Sequence, residues 1–109
     1  MKITDIETII LRLPDVVANG DGLQDVLIIR VHTDSGITGI GEAHTSPQVL
    51  KAIIDAPVSQ FTVQGFKQLL VGRDPRDIDA LWDLMYDHST TYGRRGVVIH
   101  AISGIDIAL

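Results

Sequence analysis

The groups in this 109-residue chain that could move a proton or hold a metal are its 4 histidines and 14 acidic residues. His44 is the best placed of them. It follows Glu42-Ala43 at the end of a predicted strand and opens a short loop, Thr45-Ser46-Pro47. An imidazole titrates near neutrality and both donates and accepts, so it suits a ligand site; the competing reading is an ordinary surface histidine. Glu42 falls on the less apolar face of its strand and reads as structural, bonded to a backbone amide or an arginine. The loop Asp15 to Gln24 carries Val17, Asn19 and Asp21 at its tip, and is either a long hairpin connection or a functional loop. Tyr92 and Arg94 precede the last helix. The Arg94 guanidinium could clamp a carboxylate with two parallel hydrogen bonds, or pair with an aspartate; Arg95 is less well placed. His100, inside an apolar helix, reads as a satisfied core histidine, and Asp106 as a partnered structural one. Asp79, Asp83 and Asp87 recur at helical spacing like a metal stripe, but such a row is a solvated helix face.

Nothing else in the chain has the spacing of an active site. There is no HExxH, CxxC, GxSxG, Walker or GxGxxG pattern. Gly36, Gly39 and Gly41 lie within a hairpin and not at a strand-to-helix turn, so they do not build a phosphate cradle. Serine, histidine and aspartate are available, yet no spacing brings them together. No catalytic residue and no metal ligand is assigned to this chain.

Composition narrows the classes further. Net charge is −5, with 9 basic against 14 acidic residues, and no basic cluster exceeds Arg94-Arg95. That balance excludes a nucleic-acid or membrane surface built on bulk charge. The absence of cysteine removes disulfide and thiolate chemistry and leaves a reducing compartment as the default. No apolar run is long enough for a membrane span, and the opening MKITDIETI reads directly as a strand rather than a signal peptide. A cytoplasmic protein is expected.

The elements that must position these residues follow from periodicity. Ile3 to Leu13, Asp25 to Thr33 and Ile37 to His44 read as an antiparallel three-stranded meander, with Leu27, Ile29 and Val31 on one face and Asp34-Ser35-Gly36 as a turn. Ser46-Pro47 supplies an N-cap and a proline at the first helical position. A less regular helix is expected near Phe66, Leu69 and Leu70, closed by Gly72. Asp74-Pro75 repeats the cap-plus-proline pattern before Ile78, Leu81, Trp82 and Met85, whose spacing predicts a helix with Trp82 buried. In the last stretch, Gly96 to Leu109, the small residues Val97, Ala101, Gly104 and Ala108 form one stripe suited to close backbone approach. Isoleucines cover much of the rest. So little chain remains to cover such a helix that an exposed apolar patch and self-association are expected, and the chain reads as the front part of something larger. Strands followed by helices make the fold class α+β.

Strand meander, "GIGEA", a helix, "GRDP" with Trp82 eight residues after Asp74, "GRRG" and "AISGIDIAL" occur in that order. This order resembles the N-terminal capping domain of the mandelate racemase and muconate lactonizing enzyme family of the enolase superfamily, and the resemblance covers essentially the whole chain. It implies residues 1–109 as one capping domain, stopping at the connection to a C-terminal β/α barrel of roughly 250 residues that this chain lacks. In the family the barrel carries the Mg²⁺ ligands and the bases that remove a proton beside a carboxylate, so Mg²⁺ belongs to the complete enzyme and none is bound here. The capping domain supplies two loops over the barrel mouth, here Asp15 to Gln24 and His44 to Pro47. The resemblance thus implies substrate contacts from Val17, Asn19, Asp21, His44, Tyr92 and Arg94, and a chain inactive on its own. The partners implied are its own missing barrel, a small carboxylate or acid-sugar substrate, and further copies in a homo-oligomer when complete; nucleic acid and membrane are not among them. An acid-sugar dehydratase is the foremost activity, with racemase and cycloisomerase beside it. The alternative is a freestanding, non-catalytic α+β module that binds a partner through its apolar helix.

Overall fold

The computed structural model describes residues 1–18 and 22–109. The order is β1 (Ile3–Arg12), β2 (Asp25–Thr33), β3 (Thr38–Ala43), α1 (Pro47–Asp55), α2 (Phe66–Leu70), α3 (Ile78–His88), a 3-10 turn (Ser89–Thr91) and α4 (Val97–Ala108). The three strands form one antiparallel sheet in the order β1-β2-β3, as the meander predicts. Arg12 faces Asp25 and Leu27 faces Ala43, so the β1–β2 connection and the end of β3 lie at the same end of the sheet.

Period-two alternation puts Leu27, Ile29 and Val31 on the inner face, each at most 1% exposed. The strand beside them offers Gly39, Gly41 and Ala43, and this is where α4 lies. A Cβ added at Gly41 would sit 2.0 Å from the Gly104 carbonyl oxygen, and one at Gly39 only 1.7 Å from that of Ala108. The small stripe of α4 thus meets a glycine stripe on β3, backbone against backbone. The glycines of "GIGEA" and "AISGIDIAL" are two sides of one contact.

That contact corrects the expectation of an uncovered final helix. Val98, Ala101, Ile102, Gly104, Ile105 and Ala108 are all buried, the sheet covering one flank and α1 and α3 others. Of the large apolar side chains of α4, Ile107 is the exposed one, at 64%. His100, expected in the core, is exposed on the same outer strip. The freestanding-module reading thereby loses the broad apolar helix face it required.

The helices differ from expectation in two further details. In α3 the buried line runs through Leu81 and Met85. Trp82 lies at its margin, half-buried, with its ring stacked on Tyr86 at 5.1 Å; it is not fully buried as the spacing predicts. Asp79, Asp83 and Asp87 face solvent, as expected. Asp74 caps a turn rather than α3: its carboxylate accepts from the Arg76 amide at 3.0 Å and from the Arg76 guanidinium. This pairing holds the Asp74 carboxyl far below the usual carboxylate range. The helix then starts three residues later, after Asp77. Between α1 and α2 the chain makes a tight turn, Gln60 pairing with Val63, whose tip Phe61 is 85% exposed.

Candidate functional site

The Asp15–Gln24 connection and the segment following β3 open at one end of the sheet. Between them Leu11, Leu13, Leu23, Gln24, Glu42 and His44 border a cleft of about 390 Å³. Most of its wall surface is apolar, and Arg12, Gln24, Asp25, Glu42 and His44 supply polar groups, a combination that suits a small-molecule site.

His44 stands at the rim. Ala43 is pinned beneath α4, so strand alternation sends Glu42 and His44 the other way. Their side chains meet, with Nε2 of His44 3.1 Å from Oε1 of Glu42, both more than half exposed. Glu42 is therefore paired not with a backbone amide or an arginine, as its position on the strand predicts, but with the histidine two residues on. The spacing Glu42-x-His44 was the available signal, since i and i+2 share a strand face.

Val17 is tied down by Gln24, a residue that its local sequence pattern does not single out. The Val17 amide donates to Oε1 of Gln24 at 2.9 Å, and Nε2 of Gln24 donates to the Val17 carbonyl at 2.6 Å. The Leu13 amide donates to the Gln24 carbonyl at 2.9 Å. Gln24 thus extends the β1–β2 pairing with its backbone and closes the loop base with its side chain, which acts as a surrogate peptide group. Val17 stays 55% exposed. Asn19 and Asp21 lie outside the described residues.

Tyr92 and Arg94 belong to a different neighbourhood, the end of α3. The Arg94 guanidinium stacks 4.8 Å above the Tyr86 ring, donates to Oγ1 of Thr90 at 2.5 Å, and approaches the Asp87 carboxylate at 3.9 Å. Of the two arrangements open to Arg94, pairing with an aspartate is the one present. Tyr92 is half-buried against the core. The structure therefore places His44 at the cleft, ties Val17 to Gln24 outside its lining, and anchors Tyr92 and Arg94 on the α3 side.

A third cluster is structural. Lys51 Nζ donates to Thr8 Oγ1 at 2.6 Å and to Asp55 Oδ2 at 2.7 Å, while Thr8 Oγ1 donates to the same carboxylate oxygen at 2.6 Å. The three polar groups are spent on one another and tie β1 to α1. Among the described residues no three His, Asp or Glu side chains converge as metal ligands. Among the described residues no helix is long and apolar enough to cross a membrane.

A family model described as mandelate racemase / muconate lactonizing enzyme, N-terminal domain, matches residues 6–109. The D-xylonate dehydratase of Haloferax volcanii is 34% identical over 109 residues, covering 99% of this chain and 22% of the dehydratase. The 3,6-anhydro-D-galactonate cycloisomerase of Zobellia galactanivorans superposes with a TM-score of 0.78 at 31% identity, covering 99% of this chain and 27% of that one. An enolase-superfamily member from Polaromonas sp. JS666 superposes with a TM-score of 0.75 at 35% identity, over 99% and 28% respectively. The chain thus spans about a fifth to a quarter of the length of these relatives.

Proposed function

The chain belongs to the mandelate racemase / muconate lactonizing enzyme family through that family's N-terminal domain, and on that premise we propose that it caps the active site of an enzyme acting on carboxylate substrates by α-proton abstraction. Among the chemistries of the superfamily we propose acid-sugar dehydration first, with racemisation and cycloisomerisation beside it. The similarity to a D-xylonate dehydratase and a 3,6-anhydro-D-galactonate cycloisomerase supports a sugar-acid substrate and includes dehydration and cycloisomerisation among the candidate reactions. The observation that carries the capping role is the convergence of the two connections on one cleft, bordered by Leu23 and Gln24 from the first and by His44 from the second.

In this reading the cap contributes shape, exclusion of water and hydrogen bonding. Leu11, Leu13 and Leu23 form an apolar wall that displaces water from the reacting end of a bound sugar acid, which strengthens every polar contact inside. His44, oriented by Glu42, offers a ring N–H or lone pair to a substrate hydroxyl or carboxylate. Val17, Asn19 and Asp21 are proposed as further contacts on the sequence alone. Tyr92 and Arg94 are proposed as contacts recruited on closure, because the Arg94 bonds to Asp87 and Thr90 are exposed and a carboxylate makes a stronger partner. The family implies Mg²⁺ in the complete enzyme. The acids described here do not converge and do not fit such a site, so no step is assigned to the metal on this chain. The barrel, a homo-oligomeric assembly and a cytoplasmic location complete the proposal.

The test is steady-state kinetics of the full-length enzyme with a panel of sugar acids. Val17→Asp and His44→Ala are each expected to raise KM about tenfold while kcat changes far less, the signature of lost substrate binding. Unchanged KM in both variants across the panel would overturn the capping role.

A further inference from the structure

Thr45 is the one non-glycine residue among those described whose backbone lies in the left-handed region, at φ +96°. A β-branched residue is an outlier there, because its Cβ is driven against the neighbouring carbonyl. Such a conformation persists only where the surroundings over-determine it. Here they do so from both sides. Ala43 is 2% exposed, paired with Leu27 and pressed under α4. Pro47 and Leu50 are buried at the start of α1, where the Leu50 amide donates to the Ser46 carbonyl at 3.1 Å. Three residues, His44 to Ser46, must join these anchors, and the central one takes the strain.

Glycine would make the same turn without strain. A threonine here lowers stability, so its presence calls for a different benefit. We propose that Thr45 is a positioning residue, whose restricted backbone holds His44 beside Glu42 at the cleft rim and presents it to substrate already oriented. Glycine would relieve the strain but give the segment more conformations, and a binding group that must be ordered on contact binds more weakly. This inference rests on the capping function proposed above.

The test uses Thr45→Gly, Thr45→Asn, His44→Ala and the His44→Ala/Thr45→Gly double variant. Thermal unfolding of the protein and NMR order parameters of the His44 amide read the backbone; KM and kcat of the full-length enzyme read the function. Thr45→Gly is expected to keep or raise Tm, lower the His44 order parameter, and raise KM about threefold with kcat nearly unchanged. Asparagine tolerates the left-handed region while remaining more restricted than glycine, and is expected to restore most of the KM. The double variant is expected to be no worse than His44→Ala alone. A fall in Tm with Thr45→Gly, an unchanged KM, or effects that add in the double variant would each overturn the positioning role while leaving the cap intact. If His44→Ala itself leaves KM unchanged, the substrate role of His44 falls, and the role of Thr45 falls with it.

Discussion

The inner face of the sheet and its loop end are built on opposite principles. On the inner face β3 and α4 touch through backbone, with no side chain between Gly41 and the Gly104 carbonyl. At the loop end the chain is held by single polar contacts at the surface: the Gln24 clasp on Val17 and the Glu42–His44 pair. Both regions share β3, and alternate residues of that strand serve one or the other. Ala43 is fixed beneath the helix so that Glu42 and His44 can be offered to the cleft. The lesson is a division between residues whose exact volume is required and residues whose chemistry is exposed for use.

The sharpest way to break this division is to fill the backbone contact. Gly41→Val would place its Cβ 2.0 Å from the Gly104 carbonyl oxygen, far inside van der Waals contact, so β3 and α4 must separate. We expect a loss of about 3 kcal/mol or more, with loss of cooperative unfolding, read by urea denaturation. A stable, cooperative Gly41→Val variant would show that α4 is not seated as described.

A smaller effect tests whether polar contacts in the packed half matter in the same way. Lys67 Nζ lies 2.6 Å from Asp5 Oδ1, linking β1 to α2. The hydrogen bond from Lys67 lowers the Asp5 carboxyl below its ordinary value of 3.8, against a smaller opposing effect of burial. A carboxyl depressed in the folded state adds stability that is present above the unfolded pKa and lost as pH falls through the folded one. Asp5→Asn should therefore cost stability at neutral pH, and the two proteins should converge as pH falls through the depressed folded-state pKa of Asp5. With the Asp5 side chain 49% exposed, solvent screening keeps this cost under about 1 kcal/mol. Chemical denaturation at several pH values reads it.

The smallest change in stability is expected at the loop end. Gln24→Leu removes the clasp at an exposed site and should shift stability by no more than about 0.5 kcal/mol. Its mark should instead be faster hydrogen exchange at the Val17 amide, which loses its acceptor. A protected Val17 amide in that variant would mean the loop base is held by something other than Gln24.

Much of the fold was legible because it follows from local rules. The alternation in β2 puts Leu27, Ile29 and Val31 on one face, which is the buried one, and the spacing of the α3 aspartates marks the solvated face they occupy. The small stripe of α4 announced a close backbone approach, though not its partner. Less of the site was legible. The loop and His44 could be singled out, but Gln24 carries no local signal, since its partner Val17 lies seven residues away across a turn. Trp82 was misplaced because spacing defines a stripe without saying where its centre lies.

The sequence by itself determined which residues alternate, which helix faces are small or charged, and the family to which their order points, because these depend on period and composition alone. Tertiary structure decided the rest. It supplied the glycine face of β3 that covers α4, turned Glu42 to His44, and laid Arg94 on Tyr86 and Asp87. It also fixed the left-handed backbone of Thr45, a conformation no local preference would choose. The β3–α4 contact and the Thr45 backbone depend on elements arriving at one place from separate parts of the chain, and burial or strain at the meeting point is set by both.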